Sequence, residues 1–130
     1  MRDYTEIATL ERDGFEIIVD RTWEDLSLAD CFDTSIDPET DKPYYDVDEM
    51  ARQVDAGNLE WFMLRVRVLL DGHELGSHYL GGCLYDWNKV SDVMTDGTAE
   101  DCIYSAMEEA KQEARRLVGA LQRVVDTETV

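Results

Sequence analysis

The stretch "LEWFMLRVRVLLDGHELGSHYLGGCLY", residues 59–85, carries the clearest structural pattern in the chain. Its first half alternates between two kinds of side chain, as a β-strand with two different faces does. One face is wholly apolar and consists of Phe62, Leu64, Val66, Val68 and Leu70. The opposite face consists of Trp61, Met63, Arg65 and Arg67. We therefore predict a long strand whose apolar face lies against the core.

The pair Asp71-Gly72 divides this stretch into two strand-like runs. Both residue types accept the positive φ angles of a type I′ turn, which predicts a β-hairpin with a two-residue loop. In that register Arg65 lies opposite His78, and Val68 lies opposite Leu75. The glycines Gly81-Gly82 interrupt the return strand and predict a β-bulge there.

A second hairpin is predicted upstream, in "TEIATLERDGFEIIVDR", residues 5–21. Asp13-Gly14 supplies the turn, which sets Leu10 opposite Ile17 and Ala8 opposite Val19 on one face. These four side chains are small or large apolar groups. We expect that face to belong to the core.

Two helices are predicted from apolar residues that recur every three or four positions. Residues 46–58 form a short amphipathic helix, which Gly57 ends. Residues 98–125 form a long one, with Thr98 as the N-cap and acidic residues in the first turn. Its apolar stripe consists of Ile103, Ala106, Met107, Ala110, Ala114, Leu117, Leu121 and Val124. Residues 86–94 are expected to add one further helical turn.

The element order is therefore β-β-α-β-β-α, which is typical of the α+β class. We predict a single domain, residues 1–130, with an antiparallel sheet of about four strands built from the two hairpins. The long C-terminal helix packs across the apolar face of that sheet, because this arrangement buries both amphipathic patterns at once. The order of the strands within the sheet does not follow from the sequence.

Charge is the unusual property of the composition. The chain has 30 acidic and 12 basic residues, a net charge of −18. Such a field repels nucleic acid and anionic membranes and attracts basic protein surfaces, so we expect a basic partner, no direct nucleic-acid binding and no membrane. No apolar run is long enough to cross a bilayer, and we expect a cytoplasmic protein. An acidic surface poor in lysine also suits an ordinary domain of a salt-adapted organism.

The densest acidic segment is "DTSIDPETDKPYYDVDE", residues 33–49. Asp37, Glu39, Asp41 and Asp48 fit positions 1, 3, 5 and 12 of a calcium-binding loop. That loop requires glycine at position 6 and glutamate at position 12, where this chain has Lys42 and Asp48. We therefore predict no metal site here and expect an exposed, turn-rich connection.

No catalytic motif is present. His73 and His78 have no nucleophile at a recognisable spacing, and the chain has neither a phosphate-binding loop nor a nucleophile elbow. Cys31, Cys83 and Cys102 are widely spaced, which is typical of reduced thiols and not of a disulfide framework or zinc ribbon. We expect a protein that is not an enzyme and that has no cofactor.

The charge instead favours imitation of nucleic acid. Proteins that bind DNA neutralise its phosphates with lysine and arginine, and regularly placed carboxylates can occupy the same basic surface. On the long helix, Glu109 and Glu113 lie roughly 6 Å apart along the axis, whereas Arg115, Arg116 and Arg123 make its end less acidic. The surface is therefore expected around residues 24–49, which we name the acidic connection. The candidate contact residues are Glu24, Asp25, Asp33, Asp37, Glu39, Asp41, Tyr44, Tyr45, Asp46, Asp48 and Glu49.

A homodimer is a further expectation. Arg65 and Arg67 lie beside Trp61 and Met63 on the strand face that points away from the core. A face of this mixed composition indicates that something covers it, and a second copy of the chain could do so.

The segment "DGHELGSHYLGGCLYD", residues 71–86, resembles a hairpin pattern of the type ELGSxYLGGC in small acidic proteins carried by phages and plasmids. The resemblance extends from Trp61 into the last helix, and its motif has no known chemistry. Small acidic phage proteins include anti-CRISPR and antirestriction inhibitors, several of which look like DNA to their targets. The resemblance thus implies a non-enzymatic inhibitor of a nuclease or of a CRISPR or restriction complex. The alternative is an immunity or antitoxin protein that neutralises a basic nuclease.

Overall fold

The computed structural model describes residues 2–128, with the side chains of residues 2–127. In chain order the elements are β1 (Thr5–Arg12), β2 (Phe15–Trp23), α1 (Leu28–Cys31), β3 (Ile36–Asp37), β4 (Lys42–Pro43), α2 (Val47–Asp55), β5 (Leu59–Leu70), β6 (His73–Asp86), a 3₁₀ helix (Val90–Met94) and α3 (Thr98–Glu128). The predicted extra helical turn before α3 is the 3₁₀ helix. The short elements α1, β3 and β4 lie in the acidic connection, for which only turns were expected.

The predicted α+β architecture is confirmed. Strands β1, β2, β5 and β6 form one antiparallel sheet in that order, so the two hairpins join through β2 and β5. The long helix α3 packs on one face of the sheet, against β5 and β6. Among residues 2–128, no helix is both long and apolar enough to cross a membrane.

The first hairpin has the predicted register. Leu10 pairs with Ile17 and Ala8 pairs with Val19. The turn residues Asp13 and Gly14 have φ angles of 54° and 86°. A two-residue turn of this kind matches the twist of the strands that it joins.

The second hairpin has a different register from the predicted one. Val68 pairs with Gly76 instead of Leu75, and Arg65 pairs with Tyr79 instead of His78. The turn itself is as expected, but a bulge next to Leu69 adds one residue to β6 and moves every later partner by one position. The bulge that was expected, at Gly81-Gly82, is confirmed as a second irregularity of β6, and Gly82 has a φ of 72°.

The bulge in β6 places Gly76 directly beneath α3. A Cβ atom at residue 76 would lie 2.2 Å from the carbonyl oxygen of Ala106 and 2.8 Å from the amide nitrogen of Ala110. The helix backbone can therefore approach the sheet this closely only because residue 76 is glycine.

The core lies between α3 and the apolar sheet face. Phe62, Leu64, Val66 and Val68 are buried as predicted. Leu70 is an exception with 43% of its surface exposed, because it ends the strand beside the turn. Ile103, Ala106, Met107 and Ala110 from α3 complete this core, together with residues of β2 and the 3₁₀ helix.

Both ends of α3 differ from the prediction. Thr98 is the first helical residue and not the N-cap, and its amide donates to the Asp96 carboxylate at 2.9 Å. At the other end the helix continues to Glu128, past the predicted Val125. The last part of its apolar stripe is not buried, since Leu121 and Val124 are 61% and 65% exposed.

Helix α2 is present as predicted, but it covers Val47–Asp55 and not the whole of residues 46–58. Asp46 is its N-cap, and the carboxylate accepts from the amide of Glu49 at 3.1 Å. Gly57 follows the helix with a φ of 80°, a left-handed conformation that favours glycine.

Candidate partner-binding site

The acidic connection leaves the sheet where β2 ends and runs into α2, which leads back to the sheet at the start of β5. Its first fixed point is Glu24, whose two carboxylate oxygens accept from the amides of Gly82 at 2.8 Å and Leu26 at 3.1 Å. The indole of Trp61 donates to the carbonyl oxygen of Leu26 at 2.8 Å. Glu24 therefore ties the connection to the bulge of β6, and its carboxylate is engaged inside the chain.

Asp25 is engaged as well. Its carboxylate forms an ion pair with Arg2 and accepts from the indole nitrogen of Trp23 at 2.9 Å. The guanidinium of Arg2 also stacks on the Trp23 ring, 5.5 Å from its centroid. The charge of Asp25 is thus balanced locally by the N-terminal segment.

Several other carboxylates of the connection cap its own turns. Asp33 accepts from the amide and the hydroxyl of Ser35, at 2.9 Å and 2.6 Å, and these bonds lower the pKa of Asp33 below its ordinary value. Asp37 accepts from the amide of Glu39 at 2.9 Å. Short acidic side chains commonly fix turns in this way, so these aspartates have a structural role in the connection.

At the start of α2, Glu49 accepts hydrogen bonds from Gln53 at 2.7 Å and from the Nε of Arg52 at 2.8 Å. Both interactions lower the pKa of Glu49, the bond from Gln53 more strongly. Glu49 thus remains ionised, but part of its charge is matched by Arg52.

The two tyrosines have different surroundings. The Tyr45 ring lies 5.0 Å from the ring of Phe32, which lies 6.0 Å from the ring of Trp61 on β5. This aromatic row holds the connection against the sheet. Tyr44 is 51% exposed, and its ring forms no aromatic contact within the described residues. Of the two, Tyr44 is better placed to meet a partner.

Three of the predicted contact residues are exposed, and their side chains make no hydrogen bond or ion pair in the described part of the chain: Glu39, Asp41 and Asp48. Asp41 lies in the turn between β3 and β4 with a φ of 59°, and its amide donates to the carbonyl oxygen of Asp37 at 2.8 Å. The backbone around these carboxylates is therefore held by hydrogen bonds while their charges face solvent.

The calcium-like spacing in this segment does not bring its acids together. Within residues 2–128, no three His, Cys, Asp or Glu side chains are grouped closely enough to hold a metal ion. Asp37, at position 1 of that frame, instead caps the following turn.

Most of the positive charge is neutralised inside the chain. Nine of the twelve lysine and arginine side chains lie within 4 Å of a carboxylate oxygen in the described residues. On α3, Arg116 forms one of these ion pairs with Glu113. The nine pairs involve only eight of the thirty acidic residues, so the surface stays strongly negative.

The open face of the sheet contains a charged group that sequence reasoning missed. Asp20 is 4% exposed and accepts two hydrogen bonds from Arg65, at 2.8 Å and 2.5 Å, while Arg67 lies 3.5 Å away. The ring of Tyr4 covers Arg65, with 3.4 Å between the guanidinium carbon and the ring centroid. Pairing of β2 with β5 brings these residues together, and that pairing could not be derived. Arg65 and Arg67, on which the expectation of a homodimer was based, therefore have a carboxylate partner within the same chain.

Comparison with known proteins adds no relative: no protein-family model, no curated protein and no solved structure matches this chain.

Proposed function

We propose that this protein is a non-enzymatic inhibitor of a nuclease or of a CRISPR or restriction complex. It occupies a basic, nucleic-acid-binding surface of that target, and its carboxylates take the positions that phosphates of the nucleic acid would occupy. The observation that carries the proposal is the construction of the acidic connection. Some of its carboxylates face solvent, and others accept hydrogen bonds from backbone amides and so fix the conformation of the same segment.

This construction matters because binding costs entropy when a flexible loop must be ordered. The caps at Asp33, Asp37 and Asp46 remove much of that cost before a partner arrives. A carboxylate with one capping bond also keeps lone pairs and charge for a partner's lysine or arginine. The capping residues thus contribute negative charge to the surface, while Glu39, Asp41 and Asp48 contribute direct contacts to the partner.

The net charge supports the same proposal. The electrostatic field of this net charge raises the rate at which the protein associates with a basic surface. The effect weakens as the salt concentration rises. The internal pairing of most cations leaves few positive groups that would repel such a partner. Exposed Tyr44, beside the acids, supplies an aromatic contact of the kind that often anchors an interface.

The test is competition with duplex DNA for a DNA-cleaving effector, measured by fluorescence anisotropy at low and high salt. The decisive variant reverses Glu39, Asp41 and Asp48 to lysine and leaves every capping acid in place. The matched control reverses Glu11, Glu16 and Glu74, which lie in one row at the opposite end of the sheet. Both variants change the net charge by the same amount.

We expect the first variant to lose competition and the control to retain most of it. If both variants lost competition equally, net charge alone would account for the effect, and the proposal of a defined contact surface would be overturned. Neutralisation of one toxin nuclease only, without competition by DNA, would favour an immunity protein. A protein that folds only in molar salt, judged by thermal melts across salt concentrations, would assign the charge to salt adaptation.

A further inference from the structure

We propose that the protein self-associates through the last part of α3, which pairs antiparallel with the same segment of a second copy. We name residues 114–128 the helix extension. This surface is separate from the acidic connection, and the proposal does not depend on the function proposed above.

The first observation is that the apolar stripe of α3 continues beyond the part of the helix that is buried in the core. Ile103, Met107 and Ala110 follow each other at spacings of four and three residues, and Ala114, Leu117, Leu121 and Val124 continue the same alternation. This is the heptad spacing of helices that pack lengthwise against other helices. The first three side chains are buried against the sheet, whereas Leu121 and Val124 are more than 60% exposed.

The helix extension is apolar over a wide face. Val118 and Val125 border the stripe and are 67% and 53% exposed. Beside them, Leu117 and Leu121 of the helix and Leu70 and Leu75 of the second hairpin line an open apolar cleft of about 260 Å³. An exposed apolar surface that is continuous over several helical turns is typical of an interaction site.

Charge indicates which partner fits. In a chain of net charge −18, the extension has Arg115, Arg116 and Arg123 against Asp126 and Glu128. This nearly neutral segment attracts neither a basic partner nor nucleic acid. It is, however, the part of the chain where two identical copies can meet with the least repulsion.

An antiparallel arrangement brings the apolar side chains of the two copies together. With Leu121 of each copy at the crossing point, Leu117 lies against Val124 of the second copy on one side of the contact. On the other side, Val118 lies against Val125. A parallel arrangement would instead set the two acidic bodies side by side at one end of the helix pair, where they repel each other.

The same arrangement keeps the acidic surfaces apart. The extension lies beside the turn that joins β5 to β6, at the far end of β5 from the acidic connection. Strand β5 has 12 residues, so these two ends lie roughly 36 Å apart at ~3.3 Å per residue. That separation exceeds the screening length of about 8 Å at physiological salt several times. Each acidic connection therefore stays accessible in the dimer.

The experiment is sedimentation equilibrium of the full chain over a range of protein concentrations and at two salt concentrations. We expect a dimer that dissociates on dilution, because a single helix pair buries less than the ~1,200 Å² of a stable standard-sized interface. Higher salt should strengthen the dimer, since it screens the repulsion between two acidic bodies but not the apolar contact.

Leu121→Glu should weaken dimerisation about tenfold or more, since it places a charge at the crossing point of each copy. The matched control is Tyr104→Glu, which adds the same charge at a 68% exposed site on the same helix, within the body of the protein. Equal effects of both variants, or a wild-type protein that remains monomeric at high concentration and high salt, would overturn the proposal.

Cysteine cross-linking tests the orientation. In a Cys31→Ser background, Glu113→Cys and Thr127→Cys are prepared separately and mixed before oxidation. An antiparallel pair cross-links the two variants to each other and gives little product from either alone. Cross-links that form only between identical variants would show a parallel pair and overturn the arrangement.

Discussion

The guanidinium of Arg65 donates two hydrogen bonds to the buried carboxylate of Asp20 on the open face of the sheet. The same carboxylate also lies 3.5 Å from Arg67. This three-residue group joins the two hairpins across the middle of the sheet, because Asp20 lies on β2 and both arginines lie on β5.

Asp20→Asn should therefore destabilise the fold. The change leaves two partly buried guanidinium groups facing a neutral side chain, and we expect the free energy of unfolding to fall by about 2–3 kcal/mol. Urea denaturation followed by circular dichroism measures the change. Glu16→Gln, at an exposed position of the same strand, is the control and should change stability by about 0.5 kcal/mol or less. Equal stability of both variants would show that the ion pairs contribute little.

Gly76→Ala and Gly119→Ala should have opposite effects. At residue 76 a methyl group would overlap the backbone of α3, and we expect a loss of about 2 kcal/mol or more from the resulting strain. At residue 119, within α3, a Cβ would meet nothing closer than 3.7 Å, and alanine should add about 0.5–1 kcal/mol through its higher helix propensity. Thermal and urea unfolding of the two variants check this. A harmless Gly76→Ala change would contradict the close approach of helix and sheet.

Asp96 should contribute to a loss of stability in acid. The hydroxyl of Tyr85 donates a hydrogen bond to Asp96, and this bond is the main reason that the pKa of Asp96 lies below its ordinary value. A carboxyl group with a lower pKa in the folded state stabilises the fold above its unfolded-state pKa. That contribution is lost as the pH falls through the folded-state pKa.

Urea unfolding between about pH 5 and pH 3 tests this expectation. Asp96→Asn and Tyr85→Phe should each flatten the decrease in stability over that range. Glu39→Gln is the control, since no hydrogen bond to its carboxylate is present in the described residues. If all three variants show the same pH dependence as the wild type, the bond between Tyr85 and Asp96 is not formed in solution.

The three thiols should differ in reactivity. Cys31 is exposed, whereas Cys83 and Cys102 are buried and burial raises the pKa of both, that of Cys83 to about 11. Because the thiolate is the reactive form, a thiol reagent should modify one cysteine per chain in the folded protein and three in urea. Mass spectrometry of the modified protein identifies the positions. Fast modification of Cys83 in the folded protein would contradict the packing of β6 under α3.

The candidate site was only partly predictable. The density of aspartate identified the acidic connection, because it is a property of composition. The role of each acid was not predictable, since capping depends on which amide lies within about 3 Å of the carboxylate. Glu24 illustrates this: its partner Gly82 is 58 residues away in the chain and is reached only after the sheet forms.

The sequence by itself determined the four long strands, α2 and α3, because alternation, turn residues and helix periodicity are local properties. The first hairpin, the bulge at Gly81-Gly82 and the long helix all follow from neighbouring residues. Tertiary structure alone decided the rest. The pairing of β2 with β5 joined Asp20 to Arg65, and the approach of α3 to Gly76 accompanies a one-residue shift of the second hairpin. Only the finite length of the sheet decided where the apolar stripe of α3 leaves the core, because a stripe is buried only as far as another surface extends beneath it.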